Sequence, residues 1–141
     1  MNLTVRPVDV EHIHRVWPLV EHYIIDALNK GVTEEARNYN AEHVRVFVTN
    51  GTWLLIVVTD ENNEIHGCAT VSFLNYPLHR VAFITALGGR LVTSQENAAQ
   101  LFEIFRANGA MTVEAAARDD ILRLWKKYGL ELKYHIISAS L

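Results

Sequence analysis

A chain of 141 residues, 50% hydrophobic and 21% charged, is long enough for one domain and buries roughly two-thirds of the surface its unfolded form exposes. Thirteen basic against 16 acidic residues leave a formal charge of -3, which offers no basic field to phosphate backbones and sets nucleic acid aside as a partner. The longest apolar run, residues 53–58, is far short of the roughly 20 that span a membrane, and the polar, acidic start lacks a signal peptide's pattern. The expected setting is therefore the cytosol of the cell that makes it, and the single Cys68 forms no internal disulfide.

Residues 3–8 alternate apolar and polar types and end near Pro7, as an edge strand does. Asp9 is a candidate N-cap, and Val10, Ile13, Trp17, Val20, Ile24, Ala27 and Leu28 mark one face of a long helix that Gly31 can end. Pro18 inside it predicts a kink near Trp17 or a break. Residues 32–39 are polar and aperiodic, hence a loop. Asn40 then caps a second helix with Val44, Phe47 and Val48 on its buried stripe, ending at Asn50-Gly51.

Residues 52–60 and 65–75 read as strands joined by a hairpin at 61–64, and a turn at Tyr76-Pro77 leads to a third strand at 80–87. Thr93-Ser94-Gln95-Glu96 has capping-box spacing before a helix with Ala98, Leu101, Phe102 and Phe105 on one face, ending at Asn108-Gly109. A strand at 111–116, a short helix capped by Asp119 or Asp120 and stopping at Gly129, and a last strand at 132–139 complete the chain. The layout is α/β (α+β): one domain, 1–141, with a mixed, mostly antiparallel sheet covered by helices in the order β-α-α-β-β-β-α-β-α-β.

This order resembles the GNAT superfamily of acetyl-CoA-dependent N-acetyltransferases over nearly the whole chain. Leu124-Trp125-Lys126-Lys127-Tyr128-Gly129-Leu130 looks like that family's late helix, and Leu3-Thr4-Val5-Arg6-Pro7 before a capped helix looks like its start. The resemblance implies that the pyrophosphate of the cofactor would sit on backbone amides of a Gln/Arg-x-x-Gly-x-Gly/Ala loop at a helix N-terminus, where the helix dipole favours an anion. In this chain Gly88-Gly89-Arg90 follows the strand, Leu91, Val92 and Thr93 stand where small residues belong, and the next glycine is Gly109. The expectation is a degenerate CoA site and no cofactor; the alternative is acetyl-CoA held by Thr85, Ala86 and Leu87 along its pantetheine arm and by Gly88, Gly89 and Arg90 at its phosphates.

Many family members protonate the leaving thiolate with a tyrosine on the late helix. Trp125 holds that position here, and an indole N–H is no useful acid, which leaves Tyr128 as the substitute candidate. Glu114 is the carboxylate candidate for a general base, with a salt bridge at the core edge as its other reading. Trp17-Pro18, Tyr76-Pro77-Leu78-His79-Arg80-Val81 and the Gly-Gly pair also resemble small GNAT-like proteins of tailed bacteriophages and prophages, internal virion proteins among them. That resemblance implies a virion or assembly component that acts through contacts with other virion proteins or by self-association, in the host cytoplasm or the virion, with catalysis lost or vestigial. The runner-up is an active N-acetyltransferase that passes an acetyl group to an amine.

The seven histidines lack zinc-ligand spacing, so no metal is expected. His66 and Cys68 share a strand face, which describes either an activated thiol or a small buried hydrophobe. Arg80 reads either as an anchor for an anionic group or as one side of a surface salt bridge.

Overall fold

The structure, a computed structural model, describes residues 2–30, 38–117 and 119–141. Five strands, β1 (Thr4–Pro7), β2 (Leu54–Thr59), β3 (Ile65–Asn75), β4 (Arg80–Gly89) and β5 (Thr112–Ala115), form one sheet in chain order. The first four are antiparallel neighbours and β5 runs parallel to β4, as a crossover helix between them requires. The helices are α1 (Ile13–Asn29), preceded by a 3-10 turn at Val10–His12, α2 (Ala41–Thr49), α3 (Gln95–Ala107) and α4 (Asp119–Lys126).

Two apolar layers sandwich the sheet. On one face Val5, Ile56, Val58, Ala69, Val71, Ala82 and Ile84 meet Leu101 and Phe105 of α3, Trp125 of α4 and Leu91. On the other, Leu55, Val57, Cys68 and Ala86 meet Ile13, Trp17, Val20 and Ile24 of α1 and Val44 and Val48 of α2. The period-2 alternation of β2 and β3 feeds both layers, and each fully buried leucine or isoleucine contributes roughly 2 to 3 kcal/mol over leaving it in water.

The expected fold class is the observed one, and the elements depart from expectation in a few places. Helix α1 runs unbroken through Pro18, because a proline early in a helix removes only one backbone bond and the buried stripe Ile13, Trp17, Val20, Ile24 holds both sides together. Asn40 caps α2 as expected, in a reciprocal pair with His43: the His43 amide donates to Asn40 Oδ1 and the Asn40 amide to His43 Nδ1. At α3 the cap is Ser94 rather than Thr93: Ser94 Oγ accepts from the Asn97 amide (3.1 Å), and Thr93 Oγ1 donates to the Asn97 side chain (2.9 Å). Strand β4 reaches Gly89, two residues past the expected end. The expected cap at Gly31 and most of the expected loop at 32–39 lie outside the described residues, as does the residue ahead of α4.

The last strand, expected at 132–139, does not form: residues 130–141 join no ladder, and among the described residues the sheet has five strands. Alternation makes a segment competent to pair, but pairing needs amides within reach of a neighbour's carbonyls. Here the link described to β5 is a side-chain one, Lys133 Nζ to Glu114 Oε2 at 2.8 Å.

Three glycines decide how β3, β4 and α1 meet. A Cβ on Gly88 would lie 2.5 Å from the Tyr23 carbonyl oxygen of α1, and one on Gly89 would lie 2.5 Å from the His66 carbonyl oxygen. A Cβ on Gly67 would lie 2.7 Å from the Arg90 nitrogen. Gly89 also has φ +68°, in the left-handed region. Substituting Gly88→Ala is therefore expected to cost about 2 to 3 kcal/mol in denaturant unfolding, since backbone on both sides of the contact cannot yield as a side chain would. A change within about 0.5 kcal/mol would contradict this packing.

The hairpin at the β2–β3 turn is pinned by Asp60, 9% exposed. Its Oδ1 accepts from the amides of Asn62 (2.8 Å) and Glu64 (3.0 Å), and its Oδ2 lies 2.8 Å from His66 Nε2. The bond to His66, with those two amides, holds the Asp60 carboxyl below its ordinary value against the opposing effect of burial. A carboxyl lowered in the folded state stabilises above its unfolded pKa, about 3.9, and that contribution is lost as pH falls through the folded value. The acid limb of thermal stability below about pH 4 is expected to be shallower in Asp60→Asn than in the wild type, and equal slopes in both chains would contradict the assignment.

Candidate functional site

Strands β4 and β5 are paired only over Val81–Ile84 and Thr112–Ala115; β4 then continues to Gly89 while β5 ends. The sheet opens at Thr85. This residue is also the extra one of a β-bulge: Val71 faces Ile84 and Thr70 faces Ala86, so Thr85 has no partner on β3. The bulge shifts the alternation, placing Ile84 in the α3-side core and Ala86 in the α1-side core.

The irregular backbone at Thr85 is satisfied by side chains. Its hydroxyl donates to the Thr70 carbonyl (2.9 Å) and lies 2.7 Å from the Thr70 hydroxyl, while the Tyr39 hydroxyl donates to the Thr85 carbonyl (2.6 Å). Burial pushes the Tyr39 phenol above its usual value, which keeps it a donor. Tyr39 packs edge-on to Trp53 (5.1 Å between ring centres), and Trp53 against Phe47 (4.6 Å). Sequence reasoning missed Tyr39 and Thr70: a bulge depends on register with another strand, and neither residue carries a local signal for it.

Beyond the bulge come Ala86, Leu87, Gly88, Gly89 and Arg90, the remaining cofactor candidates. Neither glycine has room for a Cβ. Gly88 abuts the Tyr23 backbone, Gly89 abuts His66, and the Arg90 amide donates to the His66 carbonyl (2.9 Å). His66 is itself bulged, between the pairs Val58–Gly67 and Thr59–Ile65. Leu91, 1% exposed, is core rather than loop surface.

The start of α3 is equally engaged with its own chain. Ser94 takes the Asn97 amide, the buried Asn97 side chain donates to the Leu3 carbonyl (3.1 Å), Gln95 Nε2 donates to the Lys127 carbonyl (3.0 Å), and Glu96 puts an acid in the first turn. An anion at this helix end would meet like charge from Glu96 and a donor already committed to Ser94. The β4 edge from Thr85 to Leu87 is unpaired with β5, and its Thr85 carbonyl already accepts from Tyr39.

The two catalytic candidates come together elsewhere. Glu114 and Tyr128 both line a cavity of about 700 Å³ bounded by β5, the end of α4 and the C-terminal segment, which Thr85 to Arg90 do not line. Glu114 is ion-paired with Lys133, and the bond to that carboxylate raises the lysine's pKa. Tyr128 lies past the end of α4, in the turn that Gly129 closes at φ +96°, with its ring edge-on to Trp125 (6.2 Å). Trp125 is 3% exposed and belongs to the α3-side core.

Cys68 is buried, and burial pushes its thiol up to about 12, far from a reactive thiolate; His66, its expected activator, is bonded to Asp60 instead. Arg80 ties β4 to neighbouring elements, donating to the Asn108 carbonyl (2.9 Å) and Asn75 Oδ1 (2.8 Å) over the Phe73 ring. Asp60, Glu64 and His66 bring potential ligand atoms together, as do exposed Asp9, Glu11 and His12. At the first cluster both Asp60 oxygens are already bonded within the hairpin.

No protein-family model and no curated protein matches this chain. Solved structures do. An aminoglycoside acetyltransferase from an uncultured soil metagenomic sample superposes with a TM-score of 0.70 at 16% identity, over 100% of this chain and 99% of that one. A second aminoglycoside acetyltransferase of metagenomic soil origin, solved in complex with sisomicin, gives 0.70 at 13% identity over 99% and 95%. A predicted acetyltransferase from Clostridium acetobutylicum, solved with acetyl-CoA, gives 0.64 at 15% identity over 99% and 96%. At these identities the likeness is one of architecture, and the architecture of this chain is the GNAT fold of acetyltransferases.

Proposed function

We propose that this protein uses an acetyltransferase fold for protein contacts and has lost acetyl transfer. The observation that supports this reading is the junction of Gly67, Gly88, Gly89 and the Arg90 amide, which commits to internal packing the backbone that would otherwise cradle a cofactor phosphate. The self-capped start of α3, with Glu96 in its first turn, adds to it. Among the candidates, Glu114 is neutralised by Lys133, and a tryptophan fills the late-helix position. A place among the virion or assembly proteins of a tailed phage rests on the sequence resemblance alone, and portal, capsid and tail genes beside this one would support it.

The second reading, an N-acetyltransferase with an amine acceptor, is favoured by one specific feature. The bulge at Thr85 and the open β4 edge beyond it are intact, and comparable architecture holds acetyl-CoA in the clostridial protein. Calorimetric titration with acetyl-CoA, with CoA as product control, separates the two. The contact reading expects no heat of binding from folded protein at high ligand concentration. Binding near micromolar strength, roughly -8 kcal/mol, would overturn it in favour of the enzyme.

A further inference from the structure

Two Asn-Gly steps close helices in this chain, Asn50-Gly51 after α2 and Asn108-Gly109 after α3, and all four residues are exposed. An asparagine before glycine is open to attack on its own side-chain carbonyl by the next backbone nitrogen, since no Cβ hinders the approach. The two steps are bonded differently. At Asn108 the side-chain Nδ2 donates to the Ile104 carbonyl (2.8 Å), the Gly109 amide donates to the Arg106 carbonyl (2.9 Å), and Arg80 Nε donates to the Asn108 carbonyl (2.9 Å). At Asn50 the Thr52 amide donates to Oδ1 (2.9 Å), and among the described residues the Gly51 amide meets no acceptor. Beyond its neighbours in the chain, a Cβ built on Gly51 would have Val10 Cγ2 nearest, at 3.5 Å, so this turn has room to move.

We propose that Asn50 is a site of spontaneous deamidation and that the fold protects Asn108. The Gly51 nitrogen bonds to Asn50 Cγ, the Cγ–Nδ2 bond breaks, and ammonia leaves with the proton that Gly51 gives up. Water then opens the cyclic imide, at Cγ to give aspartate or at the main-chain carbonyl to give isoaspartate. Attack puts negative charge on Oδ1, where the Thr52 amide already points, as an oxyanion donor does. At Asn108 the same attack must first break the bonds of Nδ2 and of the Gly109 amide. The change at Asn50 is not silent. Either product sets a carboxylate at the C-terminal end of α2, where the helix dipole disfavours it. Isoaspartate also lengthens the main chain between α2 and β2, beside Trp53, whose amide donates to the Phe47 carbonyl (3.1 Å) and whose ring backs Tyr39 on the Thr85 bulge. The inference holds whether or not the protein binds CoA.

The folded full chain, incubated in mildly alkaline buffer at body temperature and mapped by peptide mass spectrometry, is expected to gain aspartate and isoaspartate at Asn50. Asn108 is expected to react at about a tenth of that rate or below, the factor set by breaking one or two hydrogen bonds first. The same chain held unfolded in urea should react at both positions at similar rates, because the protecting bonds are gone. Equal rates at the two positions in the folded chain, a faster Asn108, or an Asn50 that stays intact while the unfolded chain reacts would each overturn the inference. A ratio in urea as large as in the folded chain would also overturn it, since sequence and not fold would then set the difference.

Discussion

Three backbones meet at the end of β4 with only the Tyr23 side chain beside them, and much of the molecule follows from that contact. The Tyr23 turn of α1, the bulged His66–Gly67 of β3 and the Gly88–Gly89 end of β4 approach closely enough that a single Cβ on any of the three glycines would collide with main-chain atoms. This contact seats α1 on the sheet, and the Tyr23 hydroxyl extends it by donating to the Ile65 carbonyl (3.3 Å). It also fixes the direction in which the chain leaves β4, because the Arg90 amide is bonded before the connection to α3 begins. Leu91 then turns inward to the core and Ser94 closes the helix end.

The two halves of the opening between β4 and β5 consequently differ. The half nearer the sheet has a bulge, an unpaired strand edge, the paired hydroxyls of Thr70 and Thr85, and the Tyr39 hydroxyl on the Thr85 carbonyl. The half nearer α3 is tied to the chain ahead of β1, to β3 and to the turn after α4 through the Asn97 side chain, the Arg90 amide and the Gln95 side chain. A ligand with an extended polar arm and a charged end would find a lane for the first part and an acidic, self-capped helix for the second. The architecture alone therefore does not fix the chemistry, and the reading of lost acetyl transfer rests on how the end of β4 and the start of α3 are packed.

Much of the fold was legible because it is written locally. Strand β3 falls on the residues expected to return from the hairpin, 65–75, and Asn40, Asn108-Gly109 and the hairpin at 61–64 act where turn and cap chemistry places them. What the sequence hid was non-local. The glycine pair reads as the remnant of a phosphate loop until Tyr23 and His66, 65 and 22 positions away from Gly88, are seen to fill it. The bulge at Thr85 is a matter of register with Thr70 and Val71, and nothing in 81–87 itself marks it. Alternation at 132–139 states a competence to pair and says nothing of where a free edge lies, so a final strand was expected and an unpaired segment found. Glu114 and Tyr128 share one cavity, a proximity the spacing did not disclose.

Amide hydrogen exchange at Arg90 tests the central point most directly, because that N–H is either spent on His66 or available to an anion. It is expected to be among the slowly exchanging amides, with the strand interiors, and to keep the same rate in saturating acetyl-CoA. Fast exchange in the free protein, slowed when acetyl-CoA is added, would show that the turn is open and holds the cofactor, and would contradict the packing on which the proposed loss of catalysis rests.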